Sequence, residues 1–208
     1  MGTPEREEAW ERDYRHRGAL WGGAVHDLPP LVPGARVLEL GCGNGKTLSG
    51  LTGHGATVVG LDLARGAVAL AARSTSAHLV VGDARRLPFP AGSFDTVCAF
   101  HLIGHLMRDD REEAAMECTR VLKEGGRLYF KEFSVMDMRA GKGEEVEPWT
   151  FRRGEGVLTH YFTEEEGTAL FPSLAPCTVT TRRWALRVRG VDHPRAEIAA
   201  VFERRPHP

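Results

Sequence analysis

Three glycines alternate at positions 41, 43 and 45, directly after the apolar stretch Val37-Leu38-Glu39-Leu40. An acid, Asp62, closes the next apolar stretch. Glycines spaced in this way let backbone N–H groups approach a ligand without interference from a Cβ. A helix opening just behind them would add its positive N-terminal end. A carboxylate 21 positions after Gly41 is where a doubly wound sheet sets an acid against ribose hydroxyls. The chemistry these residues suit is nucleoside binding, which leaves open which nucleoside.

Three readings compete for the loop. A dinucleotide fingerprint requires Gly-x-Gly-x-x-Gly, but the third glycine arrives one residue early and Lys46 takes the sixth place. A phosphate loop requires Gly-x-x-x-x-Gly-Lys-Ser/Thr; Gly45-Lys46-Thr47 supplies the ending, yet Leu40 stands five before Gly45. That loop is one residue too short to wrap phosphates. The third reading, Glu39-x-Gly41-x-Gly43-x-Gly45, resembles motif I of the class I S-adenosylmethionine-dependent methyltransferases. The resemblance implies that Glu39, Gly41, Cys42, Gly43, Asn44 and Gly45 run beside the methionine part of S-adenosylmethionine.

Later stretches extend the likeness in order. Ala56 to Asp62 is a second strand ending in the acid, and the resemblance implies that Asp62, with Leu63, takes the ribose hydroxyls as charge-assisted bonds. His78-Leu-Val-Val-Gly-Asp83 is a third strand, after which Asp83 or its neighbour Ala84 would meet the adenine. Leu87-Pro-Phe-Pro, then Ser93-Phe-Asp95, leads into a fourth strand ending at Phe100 and His101, which are expected to border the same cofactor. Arg120-Val-Leu-Lys-x-Gly-Gly126 resembles the family's helix, glycine turn and fifth strand. The likeness spans roughly residues 36–133.

The elements that must position these residues follow from periodicity. Strands near 36–40, 56–61, 78–81, 95–100 and 126–133 alternate with helices near 45–52, 64–73 and 109–122, which implies parallel pairing with right-handed crossovers. Thr163-x-x-Glu166 reads as a capping box opening a short helix that Pro172 stops. Two further runs, about 177–189 and 195–204, are joined by a turn containing Gly190, Asp192 and Pro194 and must therefore be antiparallel. The expected fold is α/β: a Rossmann-like, doubly wound, seven-stranded and mostly parallel sheet with a C-terminal antiparallel hairpin. Residues 1–208 are expected to form a single methyltransferase domain.

Composition agrees with that size. A chain of 208 residues, 42% hydrophobic and 26% charged, can bury one substantial core. A formal net charge of −1 supplies no global attraction to nucleic acid or to an anionic membrane. No leader or bilayer-spanning run is evident, and Cys42, Cys98, Cys118 and Cys177 form no Cys-x-x-Cys pair, so a cytoplasmic protein with reduced thiols is expected.

Two flanking regions are candidates for substrate choice. In residues 1–30, Trp10 and Tyr14 stand one helical turn apart with Trp21 beyond, as in a lid helix or in a helix packed on the sheet. The insert at 134–162 is long for a crossover and carries Trp149, Arg152, Arg153 and Tyr161, which would suit a planar or anionic acceptor or a satellite core. Tyr14, Trp21, Trp149, Arg152 and Tyr161 are the substrate candidates. The stretch from Tyr129 to Asp137-Met138, then Arg153 to Glu166, is similar to the corresponding tract of the tRNA 3-methylcytidine methyltransferases. On strand 177–189, Trp184, Leu186 and Val188 share one face and Arg183, Arg187 and Arg189 the other, as in a basic surface or a solvated edge.

His101 and His105 lie four apart, but His101 should end a strand, and no metal site is expected. The resemblance makes His105 a candidate to orient substrate or take a proton. The reading as a whole is methyl transfer to an N, O or S atom of a small molecule, leaving S-adenosylhomocysteine. The alternatives are a tRNA base as acceptor and a non-catalytic nucleotide-binding protein.

Overall fold

Val37, Leu38 and Leu40 are wholly buried, so β1 (Arg36–Leu40) is apolar on both faces and belongs in the middle of a sheet covered on both sides. A computed structural model describes residues 3–17, 27–154 and 156–206. A helix, α1 (Thr3–Arg17), precedes β1. After it come α2 (Lys46–Leu51), β2 (Thr57–Asp62), α3 (Arg65–Ala71), β3 (His78–Val81), β4 (Phe94–Phe100), α4 (Arg108–Val121) and β5 (Leu122–Phe133). The C-terminal hairpin is β9 (Ala175–Val188) and β10 (Val191–Glu203).

The seven strands run in the order β3-β2-β1-β4-β5-β10-β9, with β10 antiparallel to both neighbours and the first five parallel. This is the doubly wound, mostly parallel sheet the sequence implies. Strand order reverses between β1 and β4, so the crevice for a ligand opens at the carboxyl ends of those two strands.

The hairpin differs from expectation at its tip. Its turn is only Arg189-Gly190, with φ of 48° and 82°, the paired positive values that a two-residue hairpin loop uses. Asp192 and Pro194 read as turn residues but belong to β10. Pro194 fits there because its carbonyl, which accepts from the Met138 N–H, faces the side where β5 has already ended at Glu197. The missing proline N–H therefore interrupts no ladder.

The insert also has structure that the sequence did not announce. Glu144–Glu147 (β6), Thr150–Arg153 (β7) and Val157–His160 (β8) form a small antiparallel sheet of their own. A bridge between Ser134 and Phe162 returns the chain to the main sheet. One half of the expected capping box is present: the Thr163 hydroxyl accepts from Glu166 N–H at 3.2 Å and opens α5 (Glu164–Ala169), while the Glu166 carboxylate meets His160 Nε2 at 2.8 Å. Phe130 meets Phe162 and Phe171 edge-on at 5.5 and 5.4 Å, and all three are buried. Each such side chain contributes roughly 1.5–3 kcal/mol by leaving water, which fastens the insert and α5 to β5.

Candidate active site

The glycine loop leaves β1 with positive φ at Gly41, Gly43 and Gly45 (68°, 53° and 83°). Gly41 and Cys42 donate to the Leu61 carbonyl, which ties the loop to the end of β2. A Cβ at Gly41 would lie 2.9 Å from Leu102, and one at Gly43 would lie 2.7 Å from the Tyr14 hydroxyl. Conformation and crowding both demand glycine here. Asn44 gives its carbonyl to the Ser74 hydroxyl. Beneath the loop, burial pushes Glu39 from 4.5 to about 8 against a lowering bond from Thr47. Its Oε2 has no hydrogen-bond partner among the described residues.

Asp62 stands under the same loop. One carboxylate oxygen accepts Gly43 N–H at 2.8 Å, and the other accepts Ala64 N–H at 2.9 Å. Burial nonetheless outweighs these bonds and raises its pKa. Asp83, at the end of the third strand, is held differently. Burial raises its pKa, but hydrogen bonds from Arg85 and the charges of Arg6 and Arg85 hold it below the usual carboxylate range. Arg6 Nη2 lies 3.1 Å from Asp83 while its Nη1 reaches Asp110 at 2.8 Å, and Arg85 bridges the same two acids.

Helix α1 closes the crevice. Arg6, Trp10 and Tyr14 are spaced i, i+4 and i+8, so they share one face. Arg6 reaches Asp83, Trp10 meets His105 edge-on at 4.8 Å, and Tyr14 sits over Gly43 and Asp62. Burial raises the Tyr14 pKa, helped by the Asp62 charge. The room left between helix and sheet is about 80 Å³, below the roughly 300–1,000 Å³ of ordinary small-molecule sites. Arg6 and Trp10 complete a constellation of which the sequence reading named only Tyr14 as a site residue. The spacing was the available signal; the ion pair itself spans 77 and 104 residues and leaves no local trace.

His101 and His105 line the crevice from the β4 side, with Leu102 between them. His105 closes a 3-10 turn, Ile103–His105, whose Gly104 N–H donates to Glu132 at 2.9 Å. Its Nδ1 bonds the Leu158 carbonyl, so that nitrogen carries the proton. Burial lowers the His105 pKa from 6.5 to about 4 and keeps the ring neutral. His101 is left-handed at φ 53° and stacks on Phe133 at 4.5 Å.

The structure thus gathers Tyr14, Gly41, Asp62, Leu63, Asp83, Ala84, His101 and His105 around one cleft. Cys42 is buried just behind it, and Phe100 takes the Lys131 ammonium over its ring at 4.7 Å. Trp149 and Arg152 are not brought in. Trp149 is 47% exposed, and Arg152 pairs with Glu144 on the outer mini-sheet. Tyr161 is fully buried beside that sheet, its ring 6.0 Å from Phe151. Trp21 lies outside the described residues. Among the described residues no group of three ligating side chains is placed to hold a metal ion.

Residues 38–130 match the family model described as a methyltransferase domain. Over that stretch, a little under half of the chain, the protein is similar to methyltransferase domains of the S-adenosylmethionine-dependent class. Among curated relatives, the demethylmenaquinone methyltransferase of Beutenbergia cavernae is 40% identical over 119 residues, 56% of this chain and 48% of that protein. The tRNA N(3)-cytidine methyltransferase METTL2B of Homo sapiens is 26% identical over 152 residues, 65% of this chain and 40% of that protein. The chain spans about half the length of these relatives, or less. A crystal structure of a SAM-dependent methyltransferase from Methanosarcina mazei shares the fold at a TM-score of 0.73 and 24% identity, covering 87% of this chain and all of that one.

The residues present fit the cofactor this class implies. The glycines cannot carry a Cβ, the orphaned Glu39 oxygen lies beneath them, and each Asp62 oxygen keeps acceptor capacity beyond its one backbone bond.

Proposed function

We propose that the protein transfers a methyl group from S-adenosylmethionine directly to an N, O or S atom of a small-molecule acceptor, leaving S-adenosylhomocysteine. The observation that carries this reading is the cleft at the strand-order reversal, where Gly41 of the glycine loop, Asp62 and Asp83 stand together. Gly41, Gly43 and Gly45 would hold the methionine part, Asp62 the ribose, and Asp83 with Ala84 the adenine. When bound, the cofactor supplies a sulfonium-activated methyl, so positioning and exclusion of water are the main tasks left to the chain. Trp10 and Tyr14 exclude water from above. His105, neutral and with its Nδ1 proton fixed on Leu158, keeps an Nε2 lone pair to orient the acceptor.

A small acceptor suits the net charge of −1 and the likeness to the demethylmenaquinone enzyme. A tRNA base is the second reading, favoured by the likeness to the human tRNA enzyme and by Arg182, Arg183 and Arg187 on the exposed edge strand β9, with Arg189 in the turn that follows. The cytoplasm is the proposed setting. No described helix is long and apolar enough to cross a membrane, and all four cysteines are unpaired. Incubation with labelled S-adenosylmethionine and either a metabolite extract or bulk tRNA tests the reading. Label in a small molecule is expected; label in tRNA would select the second reading, and label in neither would favour a non-catalytic binding protein.

A further inference from the structure

Phe133 ends β5 on the far side of the strand-order reversal from the glycine loop, and several charged groups gather around its ring. His101 stacks on it at 4.5 Å and 27°, and the guanidinium carbons of Arg139 and Arg195 lie 4.1 and 5.0 Å from its centroid. Two buried polar atoms here have no hydrogen-bond partner among the described residues: His101 Nδ1 and Arg139 Nη2. Their partners on the other side are accounted for. His101 Nε2 faces Glu197 at 3.4 Å, from β10, and Arg139 Nε bonds the buried carboxylate of Asp137 at 3.1 Å.

An orphaned buried acceptor costs about 1–3 kcal/mol, and a left-handed non-glycine backbone adds strain. His101 carries both burdens at the carboxyl end of β4, on the edge of the cleft. Its own N–H is anchored on the Lys131 carbonyl, so the strained conformation is held by β5. Glu197 fixes the ring: a carboxylate facing Nε2 draws the proton to that nitrogen and leaves the lone pair on Nδ1. That is the arrangement of a base oriented by an acid.

We propose that His101 is the proton acceptor of the methyl-transfer reaction, with Glu197 as its positioning residue and Arg139 as the donor that receives an oxygen of the acceptor molecule. The inference rests on the methyltransferase reading and narrows its substrate class. The acceptor atom carries a proton, as a hydroxyl or an N–H, and has an oxygen nearby for the guanidinium. As the bond from that atom to the methyl carbon forms, the carbon–sulfur bond of the sulfonium breaks with its electron pair remaining on sulfur. The proton leaves the acceptor atom for Nδ1 of His101. His105 cannot share this task by the same means, because its orienting bond is to a neutral carbonyl rather than a carboxylate.

Two measurements test this on the full chain. With S-adenosylhomocysteine bound as the probe and histidines labelled with nitrogen-15, His101 should show a protonated Nε2 and a bare Nδ1 at neutral pH. Its signals are those lost in His101→Asn, a residue that tolerates the left-handed backbone. A protonated Nδ1 would overturn the proposal. In the second, label transfer to the metabolite extract is followed for the same variant. His101→Asn should slow it by about a hundredfold or more while S-adenosylhomocysteine affinity changes less than about threefold. Glu197→Gln should slow transfer about tenfold and move its pH profile, and Glu197→Asp should restore part of the rate. The charged and titratable groups around the pair are Lys131 from β5, Arg182 from β9, the neutral His105 of the cleft and Arg139 over Phe133, so the profile is read as a difference from wild type. Full-rate transfer by His101→Asn, or a matching loss of affinity, would sink the proposal. If wild type labels nothing, the methyltransferase reading fails instead, and the protonation state of His101 still judges the pair.

Discussion

The two sides of the cleft treat their polar groups in opposite ways. On the side of β1 to β3, the acids that line the cleft are engaged: Asp62 holds two loop N–H groups, and Asp83 shares Arg6 and Arg85 with Asp110, while the one orphaned oxygen, Glu39 Oε2, lies behind the glycine loop. On the side of β4, β5 and the insert, His101 Nδ1, Arg139 Nη2 and Tyr161 Oη are buried without hydrogen-bond partners among the described residues. Satisfied groups hold a shape together, whereas orphaned ones subtract from stability and suit a partner from outside. The contrast implies that the first side is a scaffold whose ligand contacts are shared with its own loops. The second is built at some cost to the fold.

Substitutions at Asp62 and Arg139 should break this comparison most sharply. Asp62→Ala is expected to weaken S-adenosylhomocysteine binding by roughly 1.5–3 kcal/mol, and it should also lower thermal stability by orphaning the Gly43 and Ala64 N–H groups. Calorimetry and melting curves on one sample read both losses. Arg139→Met, by contrast, should change stability by less than about 1 kcal/mol, since Arg195 still bonds Asp137 at 2.6 Å and one orphaned nitrogen is gone. Should Arg139→Met destabilise as much as Asp62→Ala, the two sides are not different in kind.

Arg6 tests whether the cofactor side is closed by its own lid. The side chain is 4% exposed, yet Arg85 reaches both of its acidic partners. Arg6→Met should therefore cost only about 1–2 kcal/mol of stability, less than a buried pair left with no second cation. The same change should speed association of S-adenosylhomocysteine, measured by stopped-flow, because α1 must move to enlarge a cleft of about 80 Å³. An unchanged association rate would show that the helix does not gate entry.

How much of this was legible in the sequence depends on the range of the forces involved. The glycine loop, Asp62 and Asp83 could be read directly, because strand ends and glycine conformations are local properties. The parallel pairing and the antiparallel hairpin also followed, from alternation of strands with helices and from one short connection. The Arg6 pairs could not be read, since they join residues far apart in the chain. Nor could the mini-sheet: Glu144–Glu147 and Thr150–Arg153 show no alternation of buried and exposed residues, and β7 buries only its first two, Thr150 and Phe151. At the hairpin tip, Asp192 and Pro194 carried turn signals that tertiary pairing overrode.

A smaller effect depends on pH. Burial raises Glu132 from 4.5 to about 8, even though Gly104 N–H and neighbouring amides lower it. The folded protein thus binds this proton more tightly than the unfolded chain does. Its favourable contribution is whole below pH 4.5 and is lost as pH rises to about 8. Glu132→Gln should therefore gain stability relative to wild type across that interval, as urea titrations at several pH values would show. Glu39 acts in the same direction, and His105 in the opposite one, losing stability as pH falls from 6.5 to about 4. A constant difference between wild type and Glu132→Gln would mean that Glu132 is not protonated in the fold.

The smallest expected effect concerns the outer face of the insert. Trp149 and Arg152 have the composition of a substrate site, an aromatic ring beside a guanidinium, yet neither borders the cleft. Trp149 has a left-handed backbone at φ 61°, its N–H donates to Glu145, and about half of the residue is exposed to water. Arg152 makes only an exposed pair at 3.4 Å, which contributes about 0–1 kcal/mol. Trp149→Gly/Arg152→Ala should leave S-adenosylhomocysteine affinity and small-molecule turnover within about twofold of wild type, glycine being chosen to spare the backbone at 149. A tRNA acceptor changes the expectation. RNA reaches well beyond a cleft, and the double change would then weaken RNA binding and flatten its dependence on salt. Loss of small-molecule turnover in this variant, with cofactor affinity intact, would instead place the acceptor on the mini-sheet and move the site away from His101 and Arg139.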